Sequence, residues 1–230
     1  QELIGNNYNF KQGNIMDNSL EAEQISINLL DLIFKGGPVM IILLIMSIVS
    51  LTIIILKIYQ FYRSDIHNGN KVIPVYKLLE DNKVSQSQEL LTKIIHPSSK
   101  IIFTIIENKR LSNEDRENEV SIVGEKEIRN LEFLLKPLEV IANIAPLLGL
   151  LGTVIGMITA FSKLEGAGSK VDPAILAGGI WEALLTTAFG LIVAIPALAA
   201  FYWLDGRVDK VREDMRHASI KTNIIIKKLK

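Results

Sequence analysis

The sequence predicts an all-α polytopic membrane protein: three transmembrane helices, an amphipathic N-terminal helix and a cytoplasmic helical domain, N-terminus out and C-terminus in. Three observations predict it. Val39–Leu56, Val140–Ser162 and Ala183–Leu204 run for 18, 23 and 22 residues without a charge, each long enough to cross a bilayer. The residues between and after them carry apolar positions at helical spacing. Basic residues are distributed unevenly: two in residues 1–38, 13 from Lys57 to Lys136, two between the second and third apolar stretches and eight after the third. Lys and Arg near span ends favour the cytoplasm, so the long middle segment and the C-terminus are placed inside.

Residues 1–38 form an exported segment. Its first 18 residues are Asn-rich and polar. Ser19–Lys35 reads as a short amphipathic helix, with Ser19 as N-cap and Ile25, Leu29, Leu32 and Ile33 on one face. It is either an interfacial helix or an extension of the first span, and Gly36-Gly37-Pro38 breaks it. Gln1 in place of Met fits either a processed form, in which a removed signal peptide agrees with an exported N-terminus, or a trimmed one.

The first span is placed at 39–62, closed by Tyr59, Phe61 and Tyr62 at the inner interface. Residues 63–136 form the cytoplasmic helical domain, with breaks at Asn68-Gly69-Asn70, Pro74 and His96-Pro97-Ser98-Ser99. Asn113–Lys136, dense in charge, reads as one long helix feeding the second span at 137–163. A short loop, 164–172, leads to the third span at 173–204, which Asp172 caps and Pro173 opens. In the C-terminal helix, 205–230, Val208, Val211, Met215, Ala218, Thr222, Ile225 and Leu229 recur at alternating steps of three and four. That face packs on the middle segment or on a copy of itself. Five basic residues and no acid from Arg216 onward also suit contact with anionic lipid.

Composition removes several classes of chemistry. With no cysteine there is no disulfide, thiolate metal site or cysteine nucleophile. His67, His96 and His217 are far apart and read as solvent-facing. No zinc-protease, nucleotide-binding or nucleophile-elbow motif occurs. The chain is not expected to be an enzyme, to hold a metal or cofactor, or to bind nucleic acid.

Glu182 is the one charged residue in Ala174–Leu204. Nine residues past Pro173 it lies about 14 Å into a helix, near the middle of a hydrocarbon core of about 30 Å. A charge there costs about 2.5–3.5 kcal/mol on insertion scales. The residue therefore marks an ion path or, as a neutral acid, bonds a neighbouring helix. In the second span Ala145, Gly149, Gly152, Gly156 and Ala160 form rows of small residues; such rows let helices approach closely and do not exclude a channel. Thr153 and Thr159 are its hydroxyls before Ser162. In the third span Ala183, Thr187, Gly190 and Ala194 share one face, with Glu182 and Thr186 on the next. The threonines either hold water along a path or back-bond to their own helix. One carboxylate at one depth makes no complete relay, so a proton path needs a second ionisable group from another chain.

Two stretches carry a resemblance: Ala145-Pro-Leu-Leu-Gly-Leu-Leu-Gly-Thr-Val-Ile-Gly-Met-Ile-x-Ala-Phe161 and Asp172-Pro-x-x-Leu-Ala-x-Gly-Ile-x-Glu-Ala-Leu-x-Thr-Thr-Ala-x-Gly-Leu-x-Val-Ala-Ile-Pro-Ala197. Together they resemble the MotA/TolQ/ExbB proton-channel family, and its ExbB branch most, over about residues 137–204. The family often has an acidic–basic pair at the inner end of span one; here that position reads Leu56-Lys57. The resemblance implies a homopentamer in the bacterial inner membrane whose second and third spans line a pore. The pore would hold the single-span helices of an ExbD-like partner, which supplies the missing carboxylate. By motif position Glu182 resembles the family's intramembrane acid, and Thr153 and Thr187 its pore-facing threonines. Thr186, Gly149, Gly152, Gly156, Ala183 and Gly190 are pore or packing positions. A TonB-like protein would carry the work to outer-membrane transporters. The alternatives are a TolQ-like subunit for envelope maintenance, another ion-driven stator, and a non-conducting membrane scaffold.

Overall fold

The structure, a computed structural model, describes residues 36–66, 69–166 and 173–228. The expected Ser19–Lys35 helix, the Asp172 cap, His67 and Leu229 lie outside the described residues. Helix α1 spans Gly37–Arg63. After a 3₁₀ turn at Gly69–Val72 come α2 (Ile73–Glu80), α3 (Val84–Lys93), α4 (Pro97–Glu107), α5 (Asn113–Glu132), α6 (Leu135–Gly166) and α7 (Pro173–Lys228). No strand occurs among the described residues. The chain is thus all-α, and α1, α6 and α7 are long and apolar enough to cross a membrane.

The described residues fall into two compact units, one formed up to Ile48 and from Ile144 to Ala194, the other from Val49 to Asn143 and from Ile195 onward. In the first, the start of α1 buries Val39, Met40 and Leu43. Gly37 adopts φ +65° at that start, a conformation glycine accepts without a Cβ clash, and Pro38 presets the first turn.

The second unit is a helical domain with its own core, including Val75, Leu79, Ile102, Ile105, Leu138, Leu204 and Val211. Local signals set its helix ends. Asn82 takes φ +59°, and the Asn82 and Lys83 amides donate to the Leu79 and Leu78 carbonyls at 3.0 and 2.8 Å. This is the double bond of a Schellman end, with Asn in the left-handed position. The Ser112 hydroxyl accepts from the Asp115 amide at 3.1 Å and donates to its carboxylate at 2.7 Å, opening α5.

Two expectations are corrected here. Asn113–Lys136 is not one helix. It breaks after Glu132, with Leu134 at φ +72°, and α6 begins at Leu135. Pro137, in the first turn of α6, has no amide to donate to the Phe133 carbonyl and so cannot continue α5. His96 is not solvent-facing: it is fully buried as the N-cap of α4, its Nδ1 accepting the Ser98 amide at 3.2 Å. Its Nε2 lies 3.8 Å from the Asp214 carboxylate. Burial pushes this imidazole below its ordinary pKa, opposed by the Asp214 charge. His217 is exposed, as expected.

The C-terminal part of α7 packs on the middle segment of the same chain, one of the two options its periodicity left open. Val208, Val211, Met215, Ala218, Thr222 and Ile225 are all buried. Around them Arg116 donates to Asn223 at 2.9 Å, Arg212 pairs with Glu132 at 2.6 Å, and Lys221 lies 4.4 Å over the Tyr76 ring. Burial, with the Asp214 charge adding, pushes the Tyr76 hydroxyl up to about 12.

Lys57 is 1 % exposed and donates to the Leu131 carbonyl at 2.8 Å and to Gln60 Oε1 at 2.9 Å. The α5 break leaves that carbonyl without its next amide, and α1 supplies an ammonium instead. A cation at a helix C-terminus is favourable to the helix dipole.

Candidate functional site

In the first unit α6 and the start of α7 run antiparallel through a seam of small residues. A Cβ added at Gly149 would lie 3.0 Å from both the Thr186 carbonyl oxygen and the Thr187 Cα; at Gly156 it would lie 2.8 Å from the Ala183 Cβ. At Gly190 it would lie 2.7 Å from the Ala145 carbonyl oxygen, and at Gly152 it would overlap the Thr186 side chain. Each step along α6 is therefore matched by a step back along α7. The helices are in backbone contact, which only residues lacking or nearly lacking a side chain allow.

That closeness puts two hydroxyls on one carbonyl. Thr187 Oγ1 donates to the Gly149 carbonyl at 3.0 Å. Thr186 Oγ1, 2 % exposed, has the Gly149 carbonyl at 3.2 Å and its own helix's Ala183 carbonyl at 2.7 Å, and its single proton serves one at a time. Thr186 therefore back-bonds, and both threonines also reach across the seam. Gly149, Thr187 and Gly190 belong to the packed seam.

Beside the seam lies a cavity of about 440 Å³. Glu182, Thr186, Ala183, Gly152 and Gly156 line it, all named from the sequence, together with Thr159 and Lys163 of α6 and Gly36–Val39 at the start of α1. The structure thus brings Glu182 together with Thr186 and three of the small positions. Thr153 is elsewhere: its hydroxyl donates to the Leu150 carbonyl of its own helix at 2.6 Å, and it lines a shallow groove with Met157, Phe161 and Ser162. Sequence reasoning named Thr159 only as a hydroxyl of the span, and its Oγ1 donates to the Ile155 carbonyl of its own helix at 2.9 Å; it gave Lys163 no role. Their i, i+4 spacing places them on one face, but only the antiparallel register shows that this face is the one opposite Glu182.

Chemically the cavity holds one exchangeable carboxyl, hydroxyls able to hold water, and one cation. Among the described residues no cluster of potential metal ligands occurs. A carboxyl can bind and release a proton, and hydroxyls can hold water beside it.

Comparison with known proteins agrees with the geometry. The family model described as the MotA/TolQ/ExbB proton channel family matches residues 87–217. A Synechocystis sp. protein named as biopolymer transport protein ExbB-like 1 is 35% identical over 176 residues, covering 75% of this chain and 69% of that protein. The biopolymer transport protein ExbB of Neisseria meningitidis is 29% identical over 208 residues, 81% of this chain and 91% of its own. The Tol-Pal system protein TolQ of Haemophilus influenzae is 39% identical over 95 residues, 41% of each chain. The matched region takes in the small-residue seam, Glu182 and the part of the cavity lined by α6 and α7, and the chain belongs to the MotA/TolQ/ExbB proton channel family, on its ExbB side.

Proposed function

We propose that this chain is the proton-channel and motor subunit of a TonB-type system, harvesting the proton motive force with an ExbD-like partner to energise outer-membrane transport. The observation that carries it is Glu182, the one carboxyl of the apolar stretch Ala174–Leu204, opening into a cavity lined by Thr159 and Thr186. A proton binds there; its onward transfer needs a second carboxylate, which the partner's single span supplies. Homopentamer formation in the inner membrane, with α6 and α7 around that span, brings Thr153 and Thr187 toward the same path. The likeness to ExbB-named proteins over most of the chain supports this role, and the likeness to TolQ over a shorter region supports the alternative of an envelope-maintenance subunit.

The test is uptake of a ferric siderophore or cobalamin by cells lacking the gene, with and without its return. Lost uptake restored by the wild-type chain but not by Glu182→Ala, with Thr153→Ala and Thr187→Ala also reduced and assembly intact, is the expected result. Unchanged uptake with a leaky envelope would select the TolQ-like role. Wild-type rates in all three variants would overturn the pore assignment.

A further inference from the structure

The preferred N-caps of helices are Ser, Thr, Asp and Asn, yet α4 is capped by His96. The imidazole is completely buried. Its Nδ1 accepts the Ser98 amide at 3.2 Å, so the neutral ring carries its proton on Nε2. That Nε2 has no hydrogen-bond partner, and neither has the buried Ser98 hydroxyl. Two of the three such side-chain atoms among the described residues therefore belong to this one cap. Buried polar groups are nearly always paired, so an unpaired N–H at a cap calls for a reason.

The unpaired nitrogen faces a carboxylate that stops short of it. Asp214 Oδ2 of α7 lies 3.8 Å from Nε2, about 1 Å beyond a charge-assisted hydrogen bond. The carboxylate rests against Gly69, where an added Cβ would lie 2.6 Å from the same Oδ2. The turn after α1 offers the ring the Ile66 carbonyl, which also favours its charged form. Asp65 and Lys71, on either side of that turn, pair with each other. On α2, Tyr76 shares the Asp214 charge, and burial together with that charge keeps its hydroxyl neutral. Lys221 of α7 lies over the Tyr76 ring. Asp214 is thus the ionised group that acts on His96.

One ring therefore has two partners that it cannot serve at once. A second proton can enter only at Nδ1, the atom that accepts from Ser98. There it sets two N–H groups against each other and strands the Ser98 amide. Pro97 has no amide to compete, and the Ser99 amide is already bonded to the His96 carbonyl at 2.9 Å. We infer that His96 is the sensor of a proton-operated latch between α4 and α7: neutral, it caps α4; charged, it releases the Ser98 amide and moves onto the Asp214 carboxylate. Burial holds the ring neutral to below its ordinary range, with Asp214 pulling the other way. The cap is accordingly kept above about pH 6.5 and given up on the acid side. Neither state involves Glu182.

The test uses the full chain in detergent micelles with ring-labelled histidine, followed by nuclear magnetic resonance from neutral pH to about pH 4.5, while circular dichroism tracks helix content. The His96 signal is assigned by elimination with His67→Gln and His217→Gln, so it does not depend on a position-96 variant folding. The expected midpoint for His96 is below about pH 6.5, reached with helix content unchanged. Through the same midpoint the Ser98 amide, corrected for its intrinsic rate, should exchange about tenfold faster. His96→Asn, which caps without titrating, should keep that amide protected throughout. Asp214→Asn removes the charge that draws the proton, so its His96 midpoint should fall by about one pH unit or more. A wild-type ring that stays neutral over the whole range, or charges only as helix content collapses, would overturn the latch. So would a Ser98 amide whose protection does not follow the ring, or an Asp214→Asn midpoint equal to that of wild type.

Discussion

Gly190→Ala tests whether the seam is set by backbone contact. The added Cβ would stand 2.7 Å from the Ala145 carbonyl oxygen and 3.1 Å from the Gly149 Cα. Ordinary non-bonded contacts are 3.5–4.0 Å between carbons, so the helices must part by roughly half an ångström or more. Both obstructing atoms are main chain within α6, and no rotamer change relieves them. Overpacking of this kind costs about 1–3 kcal/mol. Alanine also gains about 1 kcal/mol over glycine in a helix interior, which would mask part of the effect. Gly206→Ala in the same helix removes that ambiguity, because nothing lies within 4 Å of a Cβ built there. Propensity cancels between the two variants and leaves the overlap, about 1–3 kcal/mol, or a Tm lower by roughly 2–12 °C at this chain length. The assay is thermal unfolding of the purified chain in detergent, followed by helical circular dichroism. A Gly190→Ala Tm at or above that of Gly206→Ala would refute the seam as described.

Two further outcomes are expected in the helical domain. Folding holds the His96 imidazole below its ordinary pKa, so the unfolded chain binds the proton more readily, and the contribution of His96 is whole above about pH 6.5 and lost as pH falls below it toward the folded value. Wild type should lose Tm between pH 7.5 and 5.5 more steeply than His96→Asn, which keeps a capping side chain; equal slopes would contradict this. Lys57→Met should leave the Leu131 carbonyl unpaired in a buried place, at about 1–3 kcal/mol, and speed amide exchange at residues 133–136 and at Leu138. Unchanged exchange would show that Lys57 does not hold the α5–α6 junction.

Much of the fold was legible because a membrane enforces a simple rule. Backbone groups without water must bond within a helix, so uncharged runs of the length found at Val39–Leu56, Val140–Ser162 and Ala183–Leu204 have one reading. The C-terminal periodicity likewise foretold the buried face of α7, although not which surface covers it. The two misreadings differ in cause. The break before α6 has a local signal in Pro137, which cannot continue α5, and Lys57 and Gln60 of α1 meet the Leu131 and Asn130 carbonyls at the end of α5. His96 in a buried cap depends on a residue distant in sequence, Asp214 on α7. A lone histidine before Pro97 looks like a loop until Asp214 is brought beside it.

The site divides in the same way. Glu182 announced itself by residue type, since a carboxyl in an apolar helix is conspicuous wherever its neighbours lie. Its cavity did not, because which α6 residues meet it depends on register, and register is fixed by several close approaches rather than by any motif. Gly152 at Thr186, Gly156 at Ala183 and Ala160 at Gly179 set it. Shifting α6 by one residue would turn a different face toward α7 and move Thr159 and Lys163 away from Glu182. The small residues therefore do more than permit close packing: by fixing the register they select which side chains share the carboxyl's cavity. The same contacts keep Thr187 on the Gly149 carbonyl, so a substitution in the seam should change the surroundings of Glu182 even where it leaves every titratable group in place.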